Sequence, residues 1–282
     1  MFKIGLSTPD FVNESLFELY KKAGISYMEV SVSKKDTEAL DFDKLKEWSE
    51  KYGITLWSFH LPFYPFDEID ISHPSLADKS VEYLTQYIEK GSRIGIDKFV
   101  IHASGEPIAD EDRKMRMECA KKSLYKLAEI AKKYNSIIAV EDLPRTCLGR
   151  DSSDILELLS AHEDLKVCFD VNHLLTGETL KDFALKLKDR IITTHISDYD
   201  YVNERHWLPG EGKIDWNELL DVFEEIGYDS MWLYEISLNC PNTIKRPRDL
   251  TLDDFVLNAK EVFERKTPTI FSTPKENLGF WD

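Results

Sequence analysis

Short apolar runs recur along the chain, each followed by a longer stretch with apolar residues at three- and four-residue steps. The runs are "KIGLS", "YMEVSV", "TLWSFH", "KFVIHA", "IIAVED", "KVCFDV", "IITTHIS" and "MWLYEIS". Between them lie "NESLFELYKKAG", "DFDKLKEWSEKYG", "ADKSVEYLTQYIEKGSRIG" and "AKKSLYKLAEIAKKY", patterned as amphipathic helices and often closed by Gly. Alternation of strand and helix implies parallel strands joined by helical crossovers. Eight such units predict an α/β protein, a single (β/α)8 TIM barrel, a fold that typically takes about 250 residues. A doubly wound sheet would open on a Gly-rich turn, and "GLSTPDF" is not one. The barrel is expected over residues 1–265. The segment 266–282, "KTPTIFSTPKENLGFWD", has prolines and three aromatics but no period. It is expected to be an extended arm on the barrel or on a neighbouring subunit, which leaves a homo-oligomer open.

Side chains alternate across a strand, so the strand ends set the faces. Counting back from polar ends that point inward gives Ser58, Val100, Ala139, Cys168, Thr193 and Leu233 as barrel interior. Trp57, Phe59, Phe99, Ile101, Ile138, Val140, Phe169, Trp232 and Tyr234 are then expected to face the helices.

The ends themselves carry chemistry. The third to eighth runs finish in His60, His102, Glu141, Asp170, His195 and Glu235. In a barrel these C-terminal ends meet at one face, where active sites of the fold lie. Carboxylates and imidazoles gathered in one pocket conflict without a cation, and a divalent ion accepts both donor types. Any one of these residues alone would read as a helix cap or a satisfied core group. Six successive strand ends of ligand type point to a metal. His73 and His162 sit in loop or helix-end contexts and are expected outside the site.

Composition narrows the partners. The 282 residues carry 52 Asp and Glu against 36 Lys and Arg, a formal net charge of −16. Such a balance disfavours general binding to a phosphate backbone, so no nucleic-acid partner is expected. Four cysteines without a CxxC pair, no apolar signal core and no run of about 20 apolar residues predict a cytoplasmic protein without membrane contact.

The motifs "VEDLP", "FDVNH", "THISDYD", "RHWLPGEGKIDW" and "YEIS" resemble the xylose-isomerase-like TIM barrel family, from "KIGLS" to about "FVLNAKEVF". That family includes sugar isomerases, ketose 3-epimerases, inosose dehydratases and isomerases, and endonuclease IV. The resemblance implies one divalent ion held by Glu141, Asp170, His195 and Glu235, with Mn²⁺, Mg²⁺, Co²⁺ or Zn²⁺ suited to that donor set. It places His173 at the substrate and His206 near the metal or a substrate oxygen. The implied activity is isomerisation or epimerisation of a small sugar, sugar phosphate or cyclitol by proton transfer through a metal-stabilised enediolate. Glu141 and Glu235, well separated around the ring, are the expected acid/base pair. His60 and His102 are expected substrate hydroxyl partners or ligands of additional metals, and Arg205 a substrate partner, with Phe63, Tyr64 and Phe66 as a wall or lid and Arg145 as a cation for an anionic substrate. Inosose dehydration on the same site is an alternative.

A zinc-dependent endonuclease IV-like activity is another. His60, His102, Glu141, Asp170, His173, His195, His206 and Glu235 match that enzyme's ligands, and Glu204 stands where it has Asp. The acidic balance of the chain speaks against a grip on duplex DNA. Ketose 3-epimerases carry an arginine where this chain has Tyr201, and the second-site lysine of xylose isomerase proper has no counterpart here.

Overall fold

The computed structural model describes residues 2–8, 12–276, 278 and 279. Pro9, Asp10 and Phe11 of the first strand-end motif lie outside the described residues, as do Phe280 and Trp281 of the tail.

Eight parallel strands form the barrel: β1 (Lys3–Ser7), β2 (Tyr27–Val30), β3 (Thr55–His60), β4 (Lys98–Ile101), β5 (Ile137–Glu141), β6 (Lys166–Asp170), β7 (Ile191–His195) and β8 (Met231–Tyr234). They pair in chain order, with β8 beside β1, and a parallel bridge between Ile196 and Tyr234 joins β7 to β8. This is the expected (β/α)8 barrel. Helices α1 (Glu14–Ala23), α2 (Lys34–Ala39), α3 (Phe42–Tyr52), α4 (Ala77–Arg93), α5 (Asp110–Lys133), α6 (Ser152–Leu159), α7 (Leu180–Leu187) and α8 (Trp216–Ile226) make the crossovers, and α9 (Leu252–Phe263) follows β8. Local chemistry fixes their ends. The Asn13 side chain accepts from Leu16 N at the start of α1, and Gly24, at φ 79°, ends it in a left-handed turn that costs glycine least. Among the described residues no helix is long and apolar enough to cross a membrane.

The face assignment holds for most positions. Val100, Ala139 and Cys168 form a separate interior cluster, while Phe59, Phe99, Ile101, Ile138, Val140, Phe169, Trp232 and Tyr234 belong to the core between sheet and helices. Trp57 is the exception. The β2–β3 register skips it, pairing Met28 with Leu56 and Glu29 with Ser58. The extra residue shifts the alternation, and the Trp57 indole donates across the barrel to Thr193 Oγ1 at 3.1 Å. The Lys98 ammonium lies 3.9 Å from the Trp57 ring centroid.

Two long connections are tied down where they overlook the barrel mouth. In the β3–α4 loop, buried Asp70 pairs with Arg116 and accepts from Ser72 N and Gly105 N. The Phe66 ring rests on Gly105, where an added Cβ would meet it at 2.7 Å. The described part of the tail lies on its own barrel. Its strand β10 (Thr273–Pro274) pairs antiparallel with β9 (Ile244–Lys245), and Gly279 O accepts from the Arg205 guanidinium at 2.8 Å.

Gly105→Ala should therefore displace Phe66 and cost about 1–3 kcal/mol, the usual penalty for overpacking. Urea unfolding checks this, and an unchanged midpoint would show that the Phe66 contact does not constrain the loop.

Candidate metal centre

The polar strand ends converge as their positions require. Glu141, Asp170, His195 and Glu235 each bring one ligand atom within 4.8 Å of the others. Glu141, at the end of β5, is the hub. Its Oε2 lies 3.0 Å from His60 Nε2 and 3.2 Å from His102 Nε2, and its Oε1 lies 3.2 Å from His195 Nδ1. Among the described residues His60, His102 and Glu141 form a second group on the same criterion, His173, Glu204 and His206 a third, and Glu141, Cys168 and His195 a fourth. His173 Nε2 is 3.0 Å from Glu204 Oε2. His60 and His102, expected at the substrate, thus sit against the hub carboxylate.

The histidine rings are held in defined orientations. His60 Nδ1 faces Leu61 O at 3.0 Å, His173 Nδ1 faces Asp142 O at 2.8 Å, and His206 Nδ1 faces Glu235 O at 3.1 Å. A carbonyl only accepts, so each Nδ1 carries the proton. Burial disfavours a second proton on His60 and His173, but the carboxylates around them raise both rings above the usual imidazole range. His195 is turned the other way. Its Nε2 faces Glu29 Oε1 at 3.0 Å, which leaves Nδ1 toward Glu141, Asp170 and Glu235. Fixing the far nitrogen in this way is how metal-binding imidazoles are oriented.

Electrostatics asks for positive charge at the same place. Asp170 is wholly buried, and its Oδ2 has no hydrogen-bond partner among the described residues. Burial pushes the Asp170 carboxyl well above its ordinary range, against the pull of His173. Burial also raises Glu141, but His195 and His102 bring it well below. Glu235 behaves likewise, lowered by His195 against its burial. A divalent ion fits this set of one imidazole and three carboxylates and would satisfy the orphaned oxygen.

Two site residues lay outside the sequence reading. Glu29 of β2 is fully buried and accepts from Ser7 Oγ at 2.6 Å and Ser58 Oγ at 2.7 Å as well as facing His195. Its signal was a charge inside the run "YMEVSV". Asp142 accepts from Asp170 N at 2.7 Å, and burial pushes its carboxyl up to about 8.

Other expected residues fall elsewhere. The Arg205 side chain is buried against Asp200, with Nε to Oδ2 at 3.0 Å, and reaches the tail instead of the cavity. Arg145 does line the cavity, but Glu106 binds it through two nitrogens and Glu204 Oε1 lies 2.8 Å from its Nη1. It is committed to joining three loops. Arg145 and His206 both hold left-handed backbone, φ 55° and 50°, which non-glycine residues adopt only when their surroundings impose it. Phe63 stacks on His102 at 3.9 Å between centroids, as a wall. Tyr201 is half exposed and absent from the cavity lining. His73 accepts from Ser75 N, and His162 pairs with Glu129, both away from the centre as expected. The cavity over the centre measures about 360 Å³.

Known proteins share this architecture. A structure titled as a D-tagatose 3-epimerase-like protein superposes with a TM-score of 0.80 over 93% of this chain and 97% of its own, at 22% identity. A D-psicose 3-epimerase of Clostridium cellulolyticum gives 0.70 over 86% and 87%, at 17% identity. The 3-keto-D-glucoside 4-epimerase of E. coli gives 0.75 over 94% and 100%, at 14% identity. An uncharacterised protein of Methanocaldococcus jannaschii is 25% identical over 81% of this chain and 82% of its own length. The model of the xylose isomerase-like TIM barrel family matches residues 17–251, with the hub Glu141, the orphaned Asp170 and the oriented His195 all inside that span, and the chain belongs to this family.

Proposed function

We propose that the protein is a divalent-metal-dependent isomerase or epimerase of a small sugar or cyclitol. The observation that carries this reading is the Asp170 oxygen without a hydrogen bond among Glu141, His195 and Glu235, of which Glu141 and Glu235 line a cavity walled by Phe63. The epimerase neighbours support the reaction class. Glu141, Asp170, His195 and Glu235 would hold the ion. When bound, it would polarise a substrate carbonyl and acidify the adjacent C–H.

The chain supplies the rest. The Glu235 side chain keeps 22% of its surface open, whereas Glu141 is 1% exposed and held by His60, His102 and His195. Glu235 is therefore the carboxylate able to take the substrate proton at an oxygen facing the cavity, and Glu141 is the more constrained partner on the other side. His173 and His206 line the cavity, and with His173 Nε2 held by Glu204 at 3.0 Å, His206 is the ring left to meet substrate hydroxyls. Phe63 offers an apolar face that keeps water from the reacting carbon. Loss of the hydrogen as a proton distinguishes this from a hydride shift.

Three of the four ligand groups, the ones without Cys168, favour one further reading, a three-metal phosphoester hydrolase of the endonuclease IV kind. Against it, Arg145 is the cavity's Arg or Lys among the described residues, and Glu106 and Glu204 already neutralise it.

Elemental analysis of the purified chain should give about one divalent ion, and three ions with incision of an abasic duplex would transfer the assignment to the hydrolase. Turnover in D₂O should place deuterium at the substrate α-carbon. Glu235→Gln should suppress that exchange and lower turnover by about 10²–10⁴-fold, whereas wild-type turnover with retained hydrogen would exclude proton transfer. Glu29→Gln removes the charge that orients His195 and should weaken metal affinity by about 10–100-fold. Competition with a chelator measures this, and an unaltered affinity would make Glu29 a structural residue only.

A further inference from the structure

A second hollow, of about 570 Å³, opens beside the catalytic cavity. Its floor includes His60, whose Nε2 lies 3.0 Å from the hub Glu141, and it shares Phe63 and Tyr64 with the catalytic cavity. The two spaces are thus neighbours across one aromatic ridge. Phe63 is used, stacked on His102. Tyr64 is 63% exposed, yet its ring is fixed edge-on by Phe66 at 5.4 Å, which is itself seated on Gly105. An exposed aromatic ring held still at a cavity rim offers a flat apolar face to a ligand. Around it the groove mixes apolar Val32 and Pro62 with hydroxyl and charged groups.

Charge decides what could lie there. Asp36, Glu38 and Glu68 outnumber Lys34 and Lys35 in the lining, and Lys34 is engaged with Glu38 at 2.6 Å and Glu68 at 3.3 Å. A phosphate or nucleic-acid strand would meet net negative charge. A neutral group with C–H faces and many hydroxyls would meet an aromatic face, carboxylate acceptors and an ammonium donor. Pockets for small ligands span roughly 300–1,000 Å³, so the catalytic cavity suits one sugar ring and the groove a second.

We infer that the groove is a glycosyl subsite: the substrate is a keto sugar joined to a further neutral sugar unit, which lies along Tyr64 while the keto ring occupies the metal centre. This rests on the proposed sugar chemistry and goes further, in naming a substrate larger than a monosaccharide.

Calorimetry on the full chain loaded with Mn²⁺ tests it, using D-fructose, D-fructose 6-phosphate, and two disaccharides ending in the same ketose, lactulose and isomaltulose. At least one disaccharide should bind about tenfold tighter than D-fructose. Val32→Trp, which fills the groove from a position outside the catalytic cavity, should bring that ratio to about one, and Tyr64→Ala should reduce it. Equal affinity for fructose and both disaccharides, a ratio that survives Val32→Trp, or tightest binding of the phosphate would overturn the subsite. Absence of binding by all four sugars would instead overturn the sugar reading on which it depends.

Discussion

Carboxylates brought together out of water are the constraint around which the rest of this protein is arranged. Glu29, Glu141 and Asp170 are buried at one end of the barrel, and Glu235 joins them from the cavity side. Isolated, each would cost several kcal/mol or take up a proton. The chain answers with five of its seven histidines, set around Glu141, Glu204 and Glu235. Even so, one Asp170 oxygen keeps no hydrogen-bond partner among the described residues. Hydrogen-bond partners outside the cluster orient the rings, and Glu29 turns His195 Nδ1 toward that gap. A fold that needed only stability would place apolar residues here, because replacing buried charges with packed hydrocarbon is commonly neutral or stabilising.

The loops carry the consequence of that arrangement. Cations that could have bound a substrate are spent on architecture: Arg145 joins Glu106 to Glu204, Arg205 joins Asp200 to the tail, and Arg116 anchors Asp70. Two members of the third group, Glu204 and His206, flank Arg205 in sequence, so the tail that receives the Arg205 guanidinium also steadies them. Left-handed Arg145 and His206 persist because these contacts hold them. Of the side chains lining the cavity, Phe63, Tyr64 and Phe66 give it an aromatic wall.

Much of this was legible in the chain. Alternating strand and helix patterns fixed the barrel, because period-2 and period-3.6 apolar spacing are local properties. The six polar strand ends marked the site, because parallel strands in a closed barrel bring their C-terminal ends to one face. Residues read singly fared less well. Arg205 looked like a substrate partner in "RHWLPGEG", but its direction is decided by Asp200 and by the return of the tail, 74 residues away in sequence. Glu29 passed as a strand residue, since its meaning depends on a ring at the end of β7.

The sequence by itself thus determined the repeat of elements, the order of the strands and the ring of ligand-type residues at their ends. Only the tertiary structure decided that Trp57 turns inward, that His60 and His102 serve Glu141, that Glu29 orients His195, and that Arg145 is neutralised. The reason is physical. Periodicity is carried by neighbours in the chain, whereas a bulge, a tautomer or an ion pair is set by what another strand or loop brings within about 3 Å.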